Sequence, residues 1–169
     1  VRTLPRPIYS LSQDGRWAIT TDFSRVQRMR PGYGYVGSTD PAALERAPES
    51  SGVWRMDMDT GESELIFSLA DAAKIEHQGK PLTDHWNYFN HLLVSPDSSR
   101  FIVLHRWKKD NGDTKNPQPI GGFTTRMFTV AMDGSDRCNL DPSGNTSHFI
   151  WKDPEFICAW TRPKNKSAG

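Results

Sequence analysis

Short apolar runs separated by tight polar turns recur along the chain, and three of them share one outline. "IYSLSQDGRWAITTDF" (Ile8 to Phe23) lies over "HLLVSPDSSRFIVLHR" (His91 to Arg106), and "HFIWKDPEFICAW" (His148 to Trp160) is a looser third copy. Ser12 falls on Ser95 and Asp14 on Asp97. The second turn is one residue longer, after which Arg16 falls on Arg100 and Trp17 on Phe101. Such runs, bounded by Asp, Gly, Pro and Ser, read as strand, turn, strand. A second module follows each of the first two copies. "GVWRMDMDTGESELIF" (Gly52 to Phe67) and "RMFTVAMDGSDRCNL" (Arg126 to Leu140) are again strand, turn, strand, with Thr-Gly and Asp-Gly turns that favour hairpins.

Two hairpins per unit, antiparallel and meandering, describe one blade of a β-propeller. The expected fold class is all-β, with about two and a half four-stranded antiparallel blades in one domain over residues 1–169. One blade covers about 7–69, a second about 90–141 and a half blade about 147–162. Blade repeats usually run ~40–50 residues, and insertions lengthen these. Residues 24–51 read as a long Gly/Pro-bearing loop. Residues 68–80 hold a helix with Ser68 as N-cap, Asp71 three residues on, and Gly79 and Pro81 as stop signals. "KKDNGDTKNPQPIGG" (Lys108 to Gly122) reads as a polar loop. A closed propeller needs at least about four blades. The expectation is therefore a fragment of a larger propeller of about seven blades, or a chain that self-associates to cover its open strand edges.

Hydrophobic content is 36%, with six Trp and eight Phe, enough for a packed core. Trp17, Trp54, Trp151 and Trp160 sit within strands and are expected to pack between blades. The net charge of +1 gives no reason to expect a nucleic-acid or membrane-surface partner. No apolar run approaches the ~18 residues of a membrane span. The compartment stays open. Cys138 and Cys158 fall in strand-like runs and read as two buried free thiols.

Blade geometry gives the histidines a place. His91 and His148 open the first strands of neighbouring blades, equivalent to Ile8, so both are expected at one channel mouth. His105 ends a second strand on that face and Arg126 begins the third. Arg25 and Arg28 reach it from the first long loop, and Asn90 precedes His91. Histidines, arginines and an amide facing one funnel suit an anion. A neutral imidazole is a usable base, and a guanidinium fork fits a carboxylate or phosphate. The bland alternative is that strand-end histidines only bond neighbouring loops. Tyr33 to Tyr35 ("YGY") either stack on a sugar or pack the loop; His77 and His85 are expected at the surface. Asp57, Asp59 and Asp133 belong to turns on the opposite face.

"FNHLLVSPDSSRFIVLHRW", "TRMFTVAMDGSD" and "TSHFIW" resemble the oligogalacturonate lyase-like β-propellers, a branch of the TolB/WD40-like repeat proteins. The family's "CHEG"-, "ARMW"- and "THEFW"-like motifs, with its blade-opening histidine, fall on His105, Arg126, His148 and His91. The resemblance implies an acidic (uronate) oligosaccharide as partner and β-elimination as the reaction. It implies His148 as the catalytic proton carrier and Arg126 as the catalytic group that neutralises substrate charge. Asn90, His91, His105, Arg25 and Arg28 are then substrate-binding residues. It also implies Mn2+ on the uronate carboxylate, with ligands expected outside this chain. The sequence departs from the family where "CHEGP" reads "LHRWK", putting Arg106 in place of an acidic residue, and where "THEFW" reads "SHFIW". The alternatives are a non-catalytic propeller that binds a ligand or protein on the same face, and a purely structural fragment.

Overall fold

The computed structural model describes residues 3–162, and most of its regular structure is β. β1 (Ser10–Leu11), β2 (Trp17–Thr21), β3 (Gly52–Asp57) and β4 (Ser63–Ser68) form an antiparallel sheet in chain order. β5 (Trp86–Val94), β6 (Arg100–Asp110), β7 (Pro119–Ala131) and β8 (Cys138–Gly144) form a second. β9 (His148–Trp151) and β10 (Ile157–Trp160) pair as a third, two-stranded sheet. All five hairpins expected from the repeats are present, and among the described residues no sheet closes on itself.

The repeat extends to individual hydrogen bonds. In the β1–β2 turn, Ser12 Oγ donates to Asp14 Oδ1 (2.5 Å) and accepts from Trp17 N (2.9 Å). In the β5–β6 turn, Ser95 Oγ donates to Asp97 Oδ1 (2.6 Å) and accepts from Arg100 N (3.1 Å). These bonds hold both carboxyls below the usual aspartate range, the serine hydroxyl being the main cause in each. Asp57 and Asp133 likewise accept turn amides, from Asp59 and Ser135.

Strand periodicity sorts the core into layers. On one face of the second sheet, Phe89, Leu92, Phe101, Val103, Phe128 and Val130 meet Ile19, Val53 and Phe67 of the first sheet. On its other face, Ile102, Leu104 and Met127 meet Phe149, Trp151, Ile157 and Ala159 of the third. A sheet covered on both sides needs apolar residues at successive positions, which explains the unbroken "FIVL" of β6.

Four expectations need correction. The stretch 24–51 is not all loop, because its first residues complete α1 (Phe23–Met29), which buries Val26 and Met29. A seven-residue helix with no side-chain cap bond, followed by Gly and Pro, carries little periodic signal. The polar loop at 108–122 shrinks to 111–118, because β6 and β7 continue as a long hairpin paired out to Asp110 and Pro119. β5 begins at Trp86, so His91 lies inside a strand, not at its start. Both cysteines are free but exposed. Cys138 lies on the edge strand β8, and Cys158 alternates with Ile157 and Ala159, which take the packed face. The insertion at 68–80 does hold a helix, α2 (Leu69–Lys74), and Ser68 Oγ caps it by accepting from Asp71 N at 3.0 Å.

Candidate functional site

His91 occupies a bulge. The β5–β6 register slips between Asn90 and Leu92, and His91 takes φ +52°. A left-handed residue with a bulky side chain persists only where its surroundings fix it. Here Asn90 Oδ1 accepts from His91 N (2.8 Å) and from Tyr9 Oη (2.9 Å), and Tyr9 Oη also accepts from His91 N at 3.0 Å. Asn90, expected to bind ligand, is buried and spends its carbonyl on this bulge. Burial foremost, then Arg106, Arg30 and His148, push the His91 imidazole down to about 4, so it is neutral at physiological pH.

Two clefts meet at His91 and His148. The larger, about 350 Å³, is walled by Arg30 and Tyr33 from the segment after α1 and by the β8–β9 connection at 144–147. Arg106 of β6 and Phe123 and Thr125 of β7 complete it. The smaller, about 220 Å³, adds Tyr9, Leu93 and Phe149. Among the described residues neither has a carboxylate in its lining. The wall at 144–147 is tied down by Asp141, which accepts from Thr146, Thr161 and Ser143. Burial works against that carboxylate's charge, but these bonds outweigh it and hold its pKa below the usual range.

Arg106 is the unusual member. It is 2% exposed, its Nε donates to Thr125 Oγ1 at 3.2 Å, and its guanidinium lies 4.5 Å from the Phe123 ring centre. Its Nη1 is buried without a partner. Tyr88 Oη, also buried, interacts with the guanidinium but makes no hydrogen bond of ordinary geometry. Burial pushes the Tyr88 phenol up to about 12, so it stays a donor. Arg30 lies 3.6 Å from the Tyr33 ring centre and 5.1 Å from that of Phe123. Among the described residues no carboxylate forms an ion pair with Arg30 or Arg106.

The structure brings His91 and His148 together but separates them from the other expected residues. Side chains alternate across a strand, and His105 pairs with Arg126 on the face opposite Arg106 and Thr125. His105 and Arg126 are 0% exposed. Arg126 Nε donates to His105 Nδ1 (3.1 Å), so His105 Nε2 carries the proton and donates to Asn87 Oδ1 at 2.8 Å. Burial, with Arg126 and His77 adding to it, keeps His105 well below the usual histidine range. Arg126 Nη2 and Nη1 donate to Ala72 O (2.7 Å) and Glu76 O (3.1 Å), at and just past the end of α2. Desolvation lowers Arg126 to about 10, and it remains a cation. Arg25, 1% exposed, binds Asp40, Asn87 O, Ala42 O, Glu45 O and Arg46 O. Arg28 donates to Gln118 Oε1 and lies near the Trp86 ring. These four side chains hold elements together and line neither cleft. Arg30 and Arg106 take their place. A parity count along β6 separates Arg106 from His105; nothing in the local pattern singles out Arg30.

The manganese implied by the resemblance has its expected ligands outside this chain, and the cleft residues do not supply a site of their own for it. Mn2+ favours carboxylate, carbonyl and water ligands, whereas these clefts offer arginines, hydroxyls and two histidines. Among the described residues no group of three or more His, Cys, Asp or Glu side chains is placed to hold a metal. No helix among them is long and apolar enough to cross a membrane. No protein-family model, curated protein or solved structure matches the chain.

Proposed function

We propose that the chain is part of a β-propeller that binds acidic (uronate) oligosaccharides in the paired clefts at His91 and His148. The observation that carries this reading is their convergence with Arg30 and Arg106 in a recess without carboxylates. Coulomb attraction is stronger in such a partly desolvated site than in open solvent. Aromatic walls at Tyr33 and Phe123 add the flat apolar surfaces that sugar rings pack on.

β-Elimination is the activity this reading supports. The proton on the carbon next to a uronate carboxylate is weakly acidic, and its removal needs a base and a cation that stabilises the enolate-like charge. His148 accepts that proton, a carbon–carbon double bond forms, and the bond to the glycosidic oxygen breaks. The imidazolium then returns its proton to the leaving oxygen. The arginines supply the cation, in place of the role first given to Arg126. The unsaturated product absorbs in the ultraviolet and is followed directly. His148→Ala is expected to lower turnover by roughly 10²–10⁴-fold, and His105→Gln to leave the clefts unchanged. Uronate binding without unsaturated product, over a range of oligomer lengths, leaves a non-catalytic binding module. No preference for uronates over neutral oligosaccharides rejects the acidic-sugar reading.

A further inference from the structure

We infer that Arg106 is the anchor for a ligand carboxylate, which it holds directly and without a metal ion. The inference rests on the acidic-sugar reading for the identity of the ligand, but not for the existence of the anion site. A buried guanidinium is costly unless its charge is balanced and its donors are used. The other fully buried arginines among the described residues have their donors used: Arg25 by Asp40 and four carbonyls, and Arg126, which also lacks a counter-carboxylate, by two carbonyls and an imidazole. Arg106 alone combines burial with no counter-carboxylate and a free Nη1, and it lines the cleft.

The rest of the side chain is prepared for an anion. Thr125 Oγ1 occupies Nε, and Phe123 lies against the guanidinium, so its plane is set before a ligand arrives. Tyr88 Oη, which lines neither cleft, interacts with the guanidinium and helps fix its position. A guanidinium held in this way presents a planar fork of donors, which matches the two oxygens of a carboxylate. Arg106 stands where the lyase-like family pattern has an acidic residue, so its chemistry here is opposite in sign.

The test measures anion binding to the whole chain in excess EDTA, by calorimetry and by the shift of the thermal midpoint. The probes are acetate, inorganic phosphate, digalacturonate and a neutral disaccharide. Acetate and digalacturonate are expected to stabilise the wild type in EDTA, and the neutral sugar not. R106Q is expected to lose at least 30-fold in carboxylate affinity while R30Q loses a few-fold. R106K is expected to lose about tenfold, because a point charge does not replace the planar fork. Should R106Q fail to fold, R106K and the wild-type Arg106 guanidinium NMR resonances decide, since these shift with acetate only if the anion contacts them. Unchanged affinity in R106Q or R106K, unmoved resonances, or binding abolished by EDTA and restored by manganese overturns the inference. Phosphate binding tenfold tighter than acetate overturns the assignment to carboxylate. Acetate binding that depends on Arg106, with no uronate binding, rejects the acidic-sugar reading and leaves this inference standing.

Discussion

At the scale of single residues, the site is governed by which charges lack partners. His91 faces Arg106 from β6, Arg30 from beyond α1, His148 from β9 and Tyr9 from ahead of β1. Partial burial opposes a proton there foremost, and two arginines and a second histidine oppose it further. An unfolded chain holds the His91 proton up to about pH 6.5, the folded chain only to about 4. Between those values the unfolded state binds more protons, so stability falls as pH drops through the window. His105, lowered by burial, Arg126 and His77, steepens the same slope. The turn aspartates Asp14 and Asp97 act differently. Their pKa values lie below 3.8, so their contribution is lost only at lower pH. The chemical-denaturation midpoint is therefore expected to fall between pH 6.5 and 4, and His91→Gln to flatten the fall. An unchanged slope in His91→Gln assigns the effect elsewhere.

At the scale of elements, Arg126 belongs to the docking of α2. It carries the end of that helix onto the second sheet through Ala72 O and Glu76 O, and fixes the tautomer of His105 behind it. A cation at a helix C-terminus is favoured by the exposed carbonyls and the helix dipole. Arg126→Ala leaves His105 Nδ1 buried without its donor, while Ala72 O keeps Ile75 N and Glu76 lies at the surface, so a loss of about 1–3 kcal/mol in urea unfolding is expected. A loss below about 1 kcal/mol would show that water satisfies that acceptor. All five hairpins were legible in the sequence because their turns carry Asp, Gly and Ser at positions with a mechanical purpose, as the matching bonds at Ser12 and Ser95 show. The site was legible only in part. His91 and His148 were found through the repeat, but motif matching weighs residue identity and ignores which face a residue takes. His105 and Arg106 are neighbours in sequence and lie on opposite sides of one sheet. Arg30 was missed because its position depends on α1, which the local pattern does not announce.

At the scale of the whole molecule, three sheets stack with their apolar faces in contact, and the last of them is covered on one side only. Phe149, Trp151, Ile157 and Ala159 pack inward, while Ile150 is 61% and Trp160 67% exposed on the other face. Cys158 lies between them in the alternation, also exposed. A contiguous apolar face of this kind costs free energy in water in proportion to its area, about 25 cal/mol per Å². On the propeller reading such a face packs against another sheet. For the chain by itself, a second copy is the available cover. Concentration-dependent self-association is therefore expected by light scattering, under reducing conditions that exclude a disulfide through Cys138 or Cys158. The double substitution Ile150→Thr and Trp160→Ser is expected to shift the chain toward monomer while leaving the inter-sheet core, and so the far-ultraviolet circular dichroism, unchanged. The half-buried neighbours Phe149 and Trp151 lie on the opposite side of β9, which separates the two effects. A wild-type chain that stays monomeric on concentration would count against this use of the face. Association that persists unchanged in the double variant would place the contact elsewhere, at the open edges of the sheets.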